Sequence, residues 1–294
     1  MSPIFNTIVN IFADIAFVHR GKTMGQDNEA LSSGRPRYIL ITSCKGGVGK
    51  STCAVNIAAA LALRGMRVLL CDCDFDMRCL DLMLGIENEV LYDLYDIAVG
   101  RISADKAIMK VERIEGLDFI AAPFHGGSDL RSEMLKKAFM KAADHGRYDY
   151  ILFDTPGALV SDELLEMGLA DMAMIVASHQ PTSLRAADKT GEYLAKWQIN
   201  EQRLIINSFD LDAAIKQKRP GINEIIDRTF IRLGGIVPYD RMLMLAAENG
   251  ELIRDGNTFA AFDNIACRIM GRYVPLFENF KGFSARRKVK KLLG

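Results

Sequence analysis

The chain has 294 residues, enough for one large α/β domain or two small ones, with a core that needs no disulfide staples. Its 37 Lys and Arg balance its 37 Asp and Glu, so composition exerts no global pull toward nucleic acid or membrane, and any such pull must be local. The 6 cysteines include no C-x-x-C pair and no metal-site spacing. They read as reduced cytosolic thiols, with Cys53 and Cys267 in helical apolar patterns and Cys71 and Cys73 on opposite faces of a strand end.

Residues 1–37 stand apart from the rest of the chain. Ile4, Phe5, Ile8, Ile11, Phe12, Ile15 and Val18 recur at three-and-four spacing, which predicts an amphipathic helix. It has no basic start and no small-residue cleavage site, so it does not read as a secretory signal. Its charges are few (Asp14, Arg20, Lys22), so anionic lipid would attract it weakly. The stripe suits packing on its own domain or a twin subunit, with a membrane surface or another partner as the alternative. Residues 21–37, with Gly21, Gly25, Ser32, Ser33, Gly34 and Pro36, read as a linker. No apolar run reaches the ~18 residues of a membrane-spanning helix.

From Tyr38 onward, strand and helix patterns alternate. Strands are expected at 38–42, 68–71, 117–121, 150–153, 172–177, 203–206 and 235–237. Helices are expected at 53–63, 90–99, 104–111, 132–145, 162–169, 183–197, 222–233, 241–247 and 259–270. Repeated βα units with continuous apolar strands predict a doubly wound, mostly parallel sheet with helices on both faces, plus the terminal amphipathic helices. The expected organisation is 1–37 as helix and linker, 38–278 as the α/β domain, and 279–294 as a basic tail.

Chemistry concentrates where strands end. After Thr42 comes Cys44-Lys45-Gly46-Gly47-Val48-Gly49-Lys50-Ser51-Thr52, then an alanine-rich helix. Glycines let backbone N–H groups crowd round a polyphosphate, and the helix N-terminus adds its positive dipole end. Lys50 would reach the β and γ phosphates and Ser51 would hold Mg²⁺. Cys44 stands where the strict phosphate-loop pattern has its first glycine. The second strand runs into Asp72-Cys73-Asp74-Phe75-Asp76-Met77-Arg78-Cys79-Leu80-Asp81-Leu82, an acidic stretch that asks for a cation or a positioned water. The strand 150–153 ends in Asp154-Thr155-Pro156-Gly157-Ala158, an Asp placed to hold Mg²⁺ through water.

The run Lys45–Thr52 resembles the deviant Walker A motif of the ParA/MinD class of P-loop ATPases. The stretch from Asp72 through Leu82, continuing to Val90-Leu91-Tyr92-Asp93-Leu94, resembles MinD-type septum-site ATPases, and the likeness covers about residues 38–294. It implies an ATP hydrolase in which Asp74 aligns the attacking water and Asp72 helps hold the Mg²⁺ region. It implies that Lys45 crosses a dimer interface to the partner's phosphates, so that ATP closes a homodimer. It places Asn207 at the adenine, with Pro238 opening the loop over the base. The tail, Lys281-Gly282-Phe283 followed by Arg286, Arg287, Lys288, Val289, Lys290, Lys291, Leu292 and Leu293, resembles the membrane-targeting helix of the same proteins. Ala285, Val289, Leu292 and Leu293 share one face, with Phe283 about 120° away. Each basic residue would contribute about 1 kcal/mol at an anionic leaflet, so one tail binds reversibly and two tails on a dimer bind as a unit.

The resemblance thus implies a protein that cycles between cytoplasm and the inner face of the membrane and positions the division site. Its implied partners are a hydrolysis activator (MinE-like) and a division inhibitor (MinC-like). Three departures bear on it. Asp76 replaces a glycine, Cys79 replaces an asparagine, and Gly157-Ala158 reverses the usual order. The flagellar-number ATPases of the same class are the alternative, echoed by Asp27-Asn28-Glu29-Ala30-Leu31. A DNA-partitioning ATPase is a further one, opposed by the zero net charge, so nucleic acid is not an expected partner. A scaffold that binds ATP without turnover is kept open by Asp76. An iron-protein reductase is excluded, because cluster cysteines are missing after the strands near 120 and 154.

Overall fold

A computed structural model describes residues 34–125, 127–157, 160–216 and 220–281. The helix expected over 4–18, most of the linker, and the tail residues Phe283, Arg286, Arg287, Lys288, Val289, Lys290, Lys291, Leu292 and Leu293 lie outside them.

The strands are β1 (Arg37–Thr42), β2 (Val68–Asp72), β3 (Met109–Lys110), β4 (Leu117–Ile120), β5 (Tyr150–Asp154), β6 (Met172–Ala177), β7 (Gln202–Phe209) and β8 (Leu233–Pro238). The helices run α1 (Lys50–Leu63), α2 (Leu80–Leu84), α3 (Leu94–Ala98), α4 (Ala104–Ala107), α5 (Ser132–Gly146) and α6 (Asp162–Glu166). They continue with α7 (Pro181–Lys196), α8 (Leu211–Ile215), α9 (Ile222–Thr229), α10 (Arg241–Glu248) and α11 (Gly256–Ile269). One sheet orders the strands β3-β4-β2-β5-β1-β6-β7-β8. All neighbours are parallel except β3, which pairs antiparallel with β4.

The central strands β1, β2, β5 and β6 are buried at every residue, as a sheet covered on both faces requires. Alternation along β1 sends Tyr38 and Leu40 into one core layer and Ile39 and Ile41 into the other. The first layer is roofed by α5, α7 and α9, where Phe139 meets Phe153 edge-on with ring centroids 4.7 Å apart. The second is roofed by α1 and α11. Nearly all of α1 is buried, and its alanines let it pass close between the sheet and α11.

Several local expectations need correction. The helix expected over 104–111 stops at Ala107, because the edge of β4 recruits Met109 and Lys110 as a short strand. The helix expected over 90–99 is only α3, because the Asp93 carboxylate accepts from the Tyr95 and Asp96 amides and sets the start there. The helix expected over 222–233 ends at Thr229: Phe230 turns left-handed (φ 52°), and Leu233 pairs with Leu204 to begin β8. Cys71 and Cys73 do not point to opposite faces. Residues two apart on a strand share a face, and both thiols are buried in one core layer, where burial pushes them well up.

After α11 the chain turns back as a strap along that helix. Arg268 Nη2 donates to the Val274 carbonyl (3.0 Å), and Asn264 Nδ2 to that of Glu278 (2.8 Å). Asn257 Oδ1 accepts from the Lys281 amide (2.7 Å), and Phe280 is buried. The body of the domain therefore continues past residue 278 to 281.

Candidate nucleotide site

In a parallel sheet, ligands lie beyond the carboxyl ends of the strands, where neighbouring connections diverge. Here that point is β1, flanked by β5 and β6, with the chain leaving toward β2 on one side and later reaching β6 on the other. Residues 43–49 form the loop that leaves β1. Gly47 and Gly49 both take left-handed backbone (φ 73° and 83°), and Gly49 is the N-cap of α1. Gly49 is required twice, since a methyl there would also run into the Asn207 amide. No side chain caps α1, so its first-turn N–H groups are left for a ligand's oxygens. Asn207, at the end of β7, clasps this loop by donating from Nδ2 to the Val48 carbonyl (2.8 Å). Its Oδ1 is buried without a hydrogen-bond partner.

Lys50 lies buried in the mouth of the loop. Its Nζ donates to Asp154 Oδ1 at 2.8 Å and lies 3.4 Å from Ser51 Oγ. Asp154 ends β5, pairs with Ile41 on β1 and with Asp72 on β2, and is fully buried. Burial pushes its carboxyl above the ordinary range, and the Lys50 ammonium opposes that push. Asp154 Oδ2 has no hydrogen-bond partner, and neither does Thr42 Oγ1 at the end of β1.

Asp72 is equally buried but differently engaged. Its Oδ1 accepts from the Asp74 amide and its Oδ2 from the amides of Cys79 and Leu80, all at 3.0 Å. Burial and the Asp154 charge push it up to about 7, against these three N–H groups. The carboxylate thus closes the loop 73–80 on itself. Asp74, also buried, accepts from the Met77 amide (3.1 Å). Asp76, by contrast, is exposed. Arg78 holds a left-handed conformation (φ 27°), ion-pairs with Asp81 (2.6 Å) and lies over Phe124 at 3.4 Å from the ring centroid. Cys79 is half-buried, and burial raises its thiol to about 11, with the Ser51 hydroxyl acting in the other direction. Gly157 passes near Gly46, so the loop after β5 packs on the phosphate loop despite the reversed Gly157-Ala158 order; Ala158 lies outside the described residues.

Lys45 is half-buried and donates to Gln180 Oε1 (2.9 Å) and Thr182 Oγ1 (3.2 Å) at the start of α7. Those two residues were not singled out from sequence, although Pro181 marks a helix start directly after a strand and was a usable signal. Pro238 ends β8 and is buried, beside an exposed Tyr239. The structure therefore gathers Gly46–Ser51, Asp72, Asp74, Asp154 and Asn207 round one crevice, with Lys45 at its rim.

The oxygen donors suit a hard cation: the Asp154 carboxylate with its partnerless Oδ2, and the Ser51 hydroxyl nearby. Among the described residues no group of three or more His, Cys, Asp or Glu could cage a metal. Mg²⁺ usually takes one or two carboxylates plus substrate phosphates.

A phosphate loop at the switch point of a parallel sheet, with a buried Lys–Asp pair at its mouth, defines a P-loop nucleotide-binding domain. The chain belongs to the CobQ/CobB/MinD/ParA nucleotide binding domain family, whose description matches residues 39–253. It is 33% identical over 265 residues to the septum site-determining protein MinD of Bacillus subtilis, covering 87% of this chain and 97% of that protein. The MinD of Synechocystis is 31% identical over 247 residues, covering 82% and 92%. Among solved structures, the MinC:MinD cell division protein complex of Aquifex aeolicus aligns with TM-score 0.75 at 32% identity, covering 82% of this chain and 98% of that one. MinD of Pyrococcus horikoshii, solved with Mg-ADP, shares the fold at TM-score 0.69 and 24% identity.

Proposed function

We propose that the protein is a Mg²⁺-dependent ATPase that positions the division site by cycling on and off the inner face of the membrane. The observation that carries this reading is the Lys50–Asp154 pair at the mouth of the phosphate loop, with one oxygen of Asp154 left without a partner. Lys50 exchanges Asp154 for the β and γ phosphates of ATP. Asp154 and Ser51 would hold Mg²⁺, which when bound would neutralise charge on the phosphate oxygens. Asp72 acts on that region through the loop it closes, and Asp74 orients the attacking water. The uncapped start of α1 and the backbone of residues 46–50 bind phosphate oxygens. Asn207 and Pro238 flank the base, Asn207 through the same side chain that clasps Val48.

Lys45 leaves Gln180 and Thr182 to reach the nucleotide of a second subunit, which makes ATP the glue of a homodimer. The basic tail, 282–294, then engages anionic lipid as a pair. A MinC-like division inhibitor and a MinE-like activator are the partners this reading takes from its relatives. Among the described residues no helix is long and apolar enough to cross a membrane; in this reading the attachment is peripheral, through the tail.

Sedimentation and vesicle flotation with ATP and with ADP test the reading. The expected result is ATP-dependent self-association and flotation, both lost in Lys45→Ala while the variant keeps its fold and its ATP binding. Equal flotation with ATP, with ADP and after tail deletion would sink it.

A further inference from the structure

The C-terminal strap delivers the chain to a particular place. Lys281 is clamped by Asn257, one residue before Thr258, whose hydroxyl donates to Asp240 Oδ2 at 2.6 Å. Asp240 is the N-cap of α10, accepting from the Met242 amide at 2.9 Å. The described chain therefore stops, at Lys281, beside the N-terminus of α10.

That helix is built the wrong way round for a surface helix. Only Leu243 among its large apolar residues is buried, while Met242, Met244 and Leu245 face outward, Met242 at 64% exposure. The exposed Tyr239 precedes them, and the exposed Leu82 lies on α2, which packs against α10. Acidic side chains rim this strip. Glu248 ends α10, Glu251 and Asp255 follow it with the exposed Arg254 between them, and Glu87 lies two residues from Gly85, whose approach to Gly250 is bridged by Arg113; the carboxylates outnumber these two cations. Among the described residues, Arg241 is the one cation on the outward stripe.

The residues after position 281 are complementary in both respects. Val289, Leu292 and Leu293 supply apolar groups, and Arg286, Arg287, Lys288, Lys290 and Lys291 supply positive charge without an acidic residue. Length fits as well. As a helix, thirteen residues would span about 20 Å and eight would span about 12 Å, so the segment covers α10 from the point where it starts. A tether this short holds the segment at about millimolar effective concentration, so a weak contact suffices.

We propose that residues 282–294 dock in cis on the outward apolar strip of α10 and the adjoining Leu82, with their basic residues against the acidic rim. The strip and a lipid surface then compete for the same apolar side chains, so docking masks the tail. That consequence, unlike the docking, rests on the membrane reading above.

Hydrogen exchange on the full-length, nucleotide-free chain tests the docking. Amides of 241–248 are expected to exchange about tenfold slower in the parent than in Val289→Asp/Leu293→Asp or in Leu245→Glu, independently of protein concentration. Equal exchange in all three chains overturns the proposal. Protection that grows with protein concentration also overturns it and assigns the strip to a second copy. Flotation of the ADP state on vesicles with 30% anionic lipid is read in parallel. Leu245→Glu is expected to raise bound protein about fivefold. If no variant binds vesicles in any nucleotide state while the tail-dependent protection stands, the membrane reading fails and the docking survives.

Discussion

The ends of β2 and β5 lie side by side in the sheet, and each carries a fully buried aspartate in register with the other. Their chemistry is the same and their surroundings divide the work. Asp72 is saturated by three backbone N–H groups and organises the loop 73–80. Asp154 gives one oxygen to Lys50 and keeps the other without a partner. A buried carboxylate is tolerated only when it is paired or hydrogen-bonded. The lesson is that Asp72 meets that requirement with backbone structure, whereas Asp154 meets it half with the Lys50 ammonium and leaves its other oxygen without a partner.

The largest effects should come from breaking the Lys50–Asp154 end. Lys50→Ala removes the phosphate-reaching ammonium and leaves Asp154 uncompensated. Turnover should fall by about 100-fold or more, and the nucleotide-free protein should lose about 3 kcal/mol in urea denaturation. Asp154→Asn should abolish the Mg²⁺ response of turnover to a similar degree. Asp72→Asn sharpens the contrast, because the amide presents an NH₂ toward backbone donors. Its main cost should be stability, about 2 kcal/mol, with a smaller loss of turnover at saturating Mg²⁺. If Asp72→Asn unfolded like the parent and lost its Mg²⁺ response, the division of labour between the two strand ends would be wrong. Asn207→Ala should cost about 1 kcal/mol by releasing the Val48 carbonyl, and should weaken nucleotide binding measured by calorimetry. Smallest of all, Asp76→Gly acts at an exposed position. Stability should stay within about 0.5 kcal/mol, and turnover should rise at most about threefold as a screened negative charge leaves the loop.

Legibility from sequence followed the range of the forces involved. Glycine spacing, a lysine and a serine at a strand–helix junction describe a phosphate loop without any knowledge of the rest, because the cradle is made from contiguous backbone. The alternation of apolar strands and helices announced the doubly wound sheet for the same reason. The misplaced elements were those decided by a distant partner. Met109 and Lys110 became a strand because β4 offered an edge, and 222–233 broke at Phe230 because Leu233 had a place beside Leu204. The error over Cys71 and Cys73 was of another kind, since the two-residue period alone puts both on one face.

By itself the sequence determined the class of fold, the phosphate loop from Lys45 to Thr52, and the candidacy of Asp72, Asp74 and Asp154 as the site's acids. Only the tertiary structure decided how each acid is buried and hydrogen-bonded, because those partners come from segments far apart in the chain. It turned Asn207 onto the Val48 carbonyl and seated Lys45 on Gln180 and Thr182. It also left the apolar side of α10 facing outward beside the point where the described chain stops. Local pattern is written in neighbouring residues, but the environment of a side chain belongs to whatever the fold packs against it.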